Sequence, residues 1–215
     1  MPHALVIGAS GGIGAALAAC LARHHDVTRL SRAADGLDVT DDASVAAALA
    51  DLAPVDLAFV ATGILAPEGR APEKSLDAID PDVMARVFAV DAIGPALMLK
   101  HLAPRLAPGA RVGVLTARVG SIGDNRMGGW YAYRAAKAAA NQIVHGAAIE
   151  IGRRDKGSVV AALHPGTVET AFTTGYKAKK VTPDEAAANL IRVLTGLDPS
   201  ETGGFFDYAG ERVEW

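Results

Sequence analysis

The sequence predicts an α/β fold, a doubly wound parallel sheet covered by helices on both faces, and three observations predict it. Apolar runs of strand length alternate along the chain with longer segments of helical period. The strand-length runs are nearly continuous in apolar residues, as strands buried on both faces require. The 215 residues, 50% apolar and 21% charged, are enough for one core and too few for two full domains. A single domain spanning residues 1–215 is expected.

Taken in order, strands are expected at 4–7, 27–30, 55–60, 111–115 and 159–163, with a last one within 203–208. Helices are expected at 13–21, 43–52, 83–106, 131–151 and 184–194. Loops are marked by Ala66-Pro67-Glu68-Gly69-Arg70, by Pro104, by Pro108-Gly109 and by the polar stretch 173–180. No internal repeat of solenoid length interrupts the alternation.

Composition excludes several function classes. With 21 Lys and Arg against 24 Asp and Glu, the chain lacks the basic surface that nucleic acid needs. The longest apolar stretches, such as 15–22, are far shorter than the roughly 20 residues of a spanning helix, so no membrane partner is expected. Cys20 has no second cysteine to pair with, and the start Met1-Pro2-His3-Ala4-Leu5 lacks a basic, then long apolar, leader, so a cytoplasmic location is expected. Histidines at 3, 24, 25, 101, 145 and 164 form no metal-ligand spacing, and no metal is expected.

Gly8-Ala9-Ser10-Gly11-Gly12-Ile13-Gly14 follows a strand and opens a helix, the context that turns a glycine pattern into a phosphate site. Gly8 permits the tight turn, Gly12 lets backbone approach a pyrophosphate, and Gly14 allows close helix packing. The unpaired N–H groups of the helix start then face the phosphates. A plain tight turn is the alternative. At the end of the second strand, where an NAD site carries an acidic side chain, this chain has Leu30-Ser31-Arg32. A guanidinium and a hydroxyl there favour a 2′-phosphate and hence NADP, while nearby Asp35 leaves NAD open.

Tyr133 and Lys137 lie four residues apart in a segment of helical period and so share a face. A phenol titrates near about 10 and exchanges protons poorly at neutral pH unless a cation stabilises its phenolate. Tyr-x-x-x-Lys by itself is a common surface pair. Here it stands with the glycine turn, with Ala61-Thr62-Gly63 after the third strand and with Pro165-Gly166 after the run 159–163. In that order the motifs resemble the short-chain dehydrogenase/reductase family over nearly the whole chain.

The resemblance extends to Asp38-Val39, which in that family lies against the adenine, and to the stretch His164-Pro165-Gly166-Thr167-Val168-Glu169-Thr170, which borders the nicotinamide. The run from Arg118 to Arg126, then Gly128-Gly129-Trp130-Tyr131, and the ending Gly204-Phe205-Phe206-Asp207 are similar to the C-factor-like branch. The resemblance implies a Rossmann-type sheet and hydride exchange between nicotinamide and a small carbonyl or alcohol. Tyr133 would exchange the proton and Lys137 would also hold the nicotinamide ribose. It further implies a homodimer or homotetramer built on long helices. The physical logic is that hydride addition makes an alkoxide, and a placed proton donor lowers that barrier.

Three positions depart from the family pattern. Where a serine that polarises the carbonyl is usual, this chain has Ala117; Ser121, 12 residues before Tyr133, and Thr116 are the substitutes at hand. A loop serine bonding its own turn is the other reading of Ser121. Asp91, in Val90-Asp91-Ala92-Ile93-Gly94, replaces an asparagine that supports a helix kink and a water relay to the lysine; ionised, it favours charged Lys137 and offsets that lysine's pull on Tyr133. The other reading makes Asp91 a polar helix residue satisfied by backbone. Ala136 stands where a serine is common. These departures keep a second function open, a cofactor-binding regulatory or interaction protein with little turnover.

Met127, Trp130 and Tyr131 are expected near Tyr133, either lining a substrate pocket or packing. Residues 171–181, with Gly175 and three lysines, are expected as a short mobile cover over the nicotinamide end.

Overall fold

The computed structural model describes all residues except 175, 176 and 178. Among the described residues, six strands form one parallel sheet in the order β2-β1-β3-β4-β5-β6. They are β1 (His3–Ile7), β2 (Asp26–Leu30), β3 (Val55–Val60), β4 (Leu106–Leu115), β5 (Val159–His164) and β6 (Phe205–Asp207). The helices are α1 (Gly12–Leu21), α2 (Arg32–Asp35), α3 (Asp42–Leu49), α4 (Pro81–Phe88), α5 (Gly94–Leu102), α6 (Tyr131–Arg154) and α7 (Pro183–Gly196). None of them is long and apolar enough to cross a membrane.

Strand alternation divides the core into two layers. Leu5 and Ile7 of β1 point to one face, where they join Val45 of α3, Met98 and Leu102 of α5 and Val144 of α6. Ala4 and Val6 point to the other and join Leu17 of α1 and Leu190 and Leu194 of α7. This period of two, with apolar residues at both phases, is why the strands read as continuous apolar runs.

Three expected boundaries are corrected. The helix expected at 83–106 is three pieces: α4, a π turn over Ala89–Ile93, and α5. Pro95 has no N–H to donate to the carbonyl of Asp91 four residues earlier, so the helical ladder lacks a bond there and widens. The helix stops at Leu102, and Leu106 already belongs to β4. That strand starts before the expected position 111, because the register shifts between Val55 and Leu57 and the Pro108-Gly109 pair is taken up as a bulge, with Gly109 at φ 73°. The last strand, β6, falls within the expected interval 203–208.

The chain crosses from β2 over β1 to β3, so the sheet's switch point lies between β1 and β3, where α/β sheets open a crevice at their carboxyl ends. On the opposite side of the sheet, Arg111 of β4 donates to the carbonyls of Leu194 and Leu197 at 2.9 and 2.7 Å and so caps the end of α7. Arg111→Ala is expected to destabilise the fold by about 1–3 kcal/mol, the scale of lost charge-assisted hydrogen bonds, measured by denaturant unfolding.

Candidate active site

The switch point is occupied by the glycine turn. Gly8 has φ +87°, and a Cβ there would stand 2.8 Å from the carbonyl oxygen of Ala61 at the end of β3. The turn is tied to β2 by bonds from the N–H groups of Gly8 and Ala9 to the Leu30 carbonyl, at 2.8 and 3.1 Å. A Cβ at Gly14 would lie 2.1 Å from the Gly8 carbonyl oxygen, so the helix closes against the turn's own backbone. A Cβ at Gly12 would reach 2.6 Å from Cγ2 of Thr170, which brings the loop after β5 onto the start of α1.

A cleft of about 260 Å³ opens there. Gly8, Ser10, Gly11, Arg32, Asp38, Val39, Ala61, Thr62 and Gly63, all expected from sequence, line it. Gly12, Ile13 and Gly14 sit in the adjoining first turn of α1. Pro165, Gly166, Val168 and Thr170 lie in the loop that leaves β5, and this loop meets the cleft through the contact of Thr170 with Gly12. The buried Thr62 hydroxyl has no hydrogen-bond partner among the described residues. A tight glycine cradle, exposed helix-start N–H groups and an unpartnered hydroxyl are what a dinucleotide requires, so the residues present fit one.

At the adenosine end, the Ser31 hydroxyl is engaged by its own turn: it accepts from Ala34 N–H at 3.1 Å, and Ser31 N–H donates to Asp35 at 2.8 Å. The exposed Arg32 guanidinium has no hydrogen bond or ion pair with described residues. Hydrogen bonds from the Thr40 hydroxyl and N–H hold the Asp38 carboxyl below its usual range, helped by the charges of Arg86 and Arg32. Arg86, Leu37, Thr40, Ile64 and Val90 also line the cleft and were missed from sequence. Arg86 lies one turn before Val90, but only the packed structure shows that this face of the helix meets the cleft.

Tyr133 and Lys137 stand beyond Gly63. Lys137 is 3% exposed and Asp91 fully buried, with Nζ 3.5 Å from Oδ2. Asp91 Oδ1 accepts from Ile64 N–H at 2.8 Å, and Lys137 Nζ donates to the Leu115 carbonyl at 3.4 Å. Burial pushes the Asp91 carboxyl up, and the Lys137 ammonium and the Ile64 N–H pull it back. Gly63 packs against both groups: its Cβ would sit 3.2 Å from Nζ and 3.4 Å from Oδ1. Lys137 Nζ is 5.6 Å from the ring centroid of buried Tyr133. The Tyr133 ring also meets Trp130 edge-on, at 6.3 Å, and Phe172, at 5.8 Å. Phe172 belongs to the segment expected as a cover, of which 175, 176 and 178, with Gly175 among them, lie outside the described residues.

Ala117 opens a short 3₁₀ turn over Arg118–Gly120. Ser121 follows it, buried, its hydroxyl oxygen accepting from Asp124 N–H at 3.0 Å. The Thr116 hydroxyl is buried at the end of β4 without a partner among the described residues. Met127, by contrast, is 89% exposed and Trp130 packs beside Tyr133, so of these two only the tryptophan joins the site.

A family model described as enoyl-(acyl carrier protein) reductase matches residues 14–204. The whole chain aligns, at 32% identity, with the whole of the 1-hydroxy-2-glutathionyl-2-methyl-3-butene dehydrogenase of Rhodococcus sp. (strain AD45). Over 143 residues, 66% of this chain and 84% of the relative, it is 40% identical to the C-signal protein of Myxococcus xanthus. A solved NADPH-bound carbonyl reductase from chicken fatty liver superimposes with a TM-score of 0.81 at 25% identity, covering 100% of this chain and 99% of that one. The chain therefore belongs to the short-chain dehydrogenase/reductase family, a family of oxidoreductases.

At the end of β5, burial pulls the His164 imidazole down to about 4; Asp207 opposes this and Arg118 reinforces it. An unfolded histidine titrates near about 6.5, so between these values the unfolded chain binds a proton that the fold refuses. The stability contributed by neutral His164 is complete above pH of about 6.5 and is lost as pH falls toward 4, up to about 3 kcal/mol. Unfolding free energies measured across this interval should fall less steeply for His164→Gln than for the parent protein.

Proposed function

We propose that the protein is an NADP-dependent oxidoreductase that interconverts a small carbonyl compound and its alcohol through a Tyr133–Lys137 proton relay. One observation carries this reading: a buried ammonium, Lys137, lies beneath the Tyr133 ring and against Gly63, which lines the cleft. The NADPH-bound carbonyl reductase with the same fold supports the choice of cofactor and reaction, as does Arg32, whose guanidinium stands in the cleft without a partner among the described residues.

The turn from Gly8 to Gly14, with Ser10, Gly11, Gly12 and Ile13, would hold the pyrophosphate at the start of α1. Arg32 would take the 2′-phosphate, and Asp38 and Val39 the adenine. Ala61, Thr62 and Gly63 would hold the middle, and Pro165, Gly166, Val168 and Thr170, in the loop that meets α1 through Thr170, would border the nicotinamide. When bound, the nicotinamide supplies or accepts hydride at the carbon that bears the substrate oxygen. Tyr133 gives its phenolic proton to that oxygen as negative charge develops, and takes it back in the reverse direction. Lys137 holds the phenolate in a site with little water, where an ammonium acts strongly, and reaches the nicotinamide ribose. Asp91 fixes Lys137 and tempers its charge. Ser121 completes the site by directing its hydroxyl proton to the carbonyl; Thr116 is the alternative donor.

A second reading has a specific observation in its favour. The Ser121 oxygen is engaged within its own loop, and Ala117 supplies no hydroxyl, which suits a cofactor-binding regulatory protein with little turnover. The assembly proposed is a homodimer or homotetramer, which light scattering tests directly.

Turnover of NADPH with a panel of aliphatic and aryl aldehydes and ketones decides between the two readings. Tyr133→Phe should lower kcat by at least about 10²-fold while NADPH still binds; full activity in this variant would remove Tyr133 from the chemistry. Arg32→Ala should weaken NADPH about tenfold or more and leave NADH nearly unchanged in a fluorescence titration. Asp91→Asn removes the countercharge to Lys137, so the pH midpoint for alcohol oxidation should move downward by on the order of one unit.

A further inference from the structure

The start of α6 lacks the device that normally begins a helix. Its first N–H groups need acceptors, usually a Ser, Thr, Asp or Asn at the N-cap. Here the N-cap is Trp130, which supplies no side-chain cap and sits in the left-handed region at φ 53° and ψ 43°. The first turn contains no acidic residue either. A large aromatic residue holds that backbone conformation only when its surroundings impose it.

What imposes it comes from a distant loop. Glu73, in the loop between β3 and α4, is 5% exposed. Its carboxylate Oε2 accepts from Ala132 N–H at 3.3 Å, and its backbone carbonyl accepts from Trp130 N–H at 2.5 Å. Glu73 therefore meets the helix at two alternate positions, one through backbone and one through side chain. The approach is close: a Cβ on Gly129, at φ +64°, would stand 3.3 Å from the Glu73 carbonyl oxygen. A carboxylate at this end also complements the positive end of the helix dipole. The next link is a ring contact, since Trp130 so held lies edge-on against Tyr133.

We propose that Glu73 is a positioning residue for the reacting helix: it caps α6 from outside and, through Trp130 and the first turn, fixes where the Tyr133 phenol stands. It does not line the cofactor cleft and touches neither Lys137 nor Asp91 by hydrogen bond. Its loss should therefore separate placement of the phenol from cofactor binding. The catalytic arm of the test rests on Tyr133 as the proton donor; the hydrogen-exchange arm does not, so the two ideas fail separately.

The experiment compares Glu73→Ala, Glu73→Gln and Gly129→Ala with the parent protein by hydrogen exchange, NADPH titration and steady-state kinetics on the carbonyl panel. Glu73→Ala should speed exchange of the amides at 131–134 by about tenfold or more, leave 140–154 unchanged and keep the NADPH dissociation constant within about twofold. Its kcat should fall about tenfold, more than KM changes. Glu73→Gln keeps an acceptor for Ala132 N–H and should restore both exchange and kcat to within about threefold of the parent. Gly129→Ala, which crowds the same contact by another route, should share the alanine phenotype and is read in its place if Glu73→Ala does not fold. Parental exchange at 131–134 in Glu73→Ala, or in Gly129→Ala where it takes over, overturns the proposal. So does faster exchange spread evenly along α6, or failure of Glu73→Gln to rescue.

Discussion

Lys137 is a cation held at 3% exposure, and the arrangement around it follows from the cost of keeping a charge out of water. The ammonium needs a counterion, a hydrogen-bond acceptor and room. Asp91 supplies the first, the Leu115 carbonyl the second, and the missing side chain of Gly63 the third. Asp91 Oδ1 in turn accepts from Ile64 N–H, and Oδ2 faces Lys137. These groups come from the end of β3, the end of β4, a helix that crosses from another part of the chain, and α6. A parallel sheet brings them together, because it places the ends of successive strands along one edge.

The π turn belongs to the same account. Pro95 deprives the Asp91 carbonyl of its helical donor, and the widened turn spans Ala89–Ile93 with Asp91 at its centre. An irregularity set by one proline thus falls where a carboxylate has to leave the regular helical path and meet a lysine from another helix. At the other end of the cleft, the glycine turn meets a different requirement: backbone must approach backbone, and Gly8 and Gly14 sit where a Cβ would collide with carbonyl oxygens. The end at the glycine turn is shaped by absent side chains and the end at Lys137 by a buried charge pair. Gly63 takes part in both, lining the cleft while touching Lys137 and Asp91.

The helix that carries Tyr133 and Lys137 is therefore held at two levels. Its second turn is fixed by the ion pair and by the turn at Gly120, where a Cβ would stand 2.8 Å from that of Lys137. Its start is fixed by the loop bearing Glu73. Tyr133 lies between the two, so the placement of the phenol draws on both the sheet edge and a surface loop. The loop is the part that differs most freely among folds of this kind, since connections tolerate change better than strands.

Much of this was legible in the residues themselves. Strand runs, the glycine turn and the shared face of Tyr133 and Lys137 are local patterns, fixed by the periods of strand and helix and by the space a Cβ occupies, and the structure contains each of them, with β4 starting earlier than read. The break in the expected helix has a local signal, since Pro95 lacks an N–H, but the apolar period runs through Ala89–Ile93 unbroken, and only the folded backbone shows that the helix widens into a π turn there. The bulge at Pro108-Gly109 depends on the partner strand and so has no local signature. Arg86 reaches the cleft, and Glu73 reaches the start of α6, through contacts across many residues of chain. Their neighbours in sequence say nothing of this, because which side chain pairs with which buried N–H is decided only when sheet, helices and loops pack together.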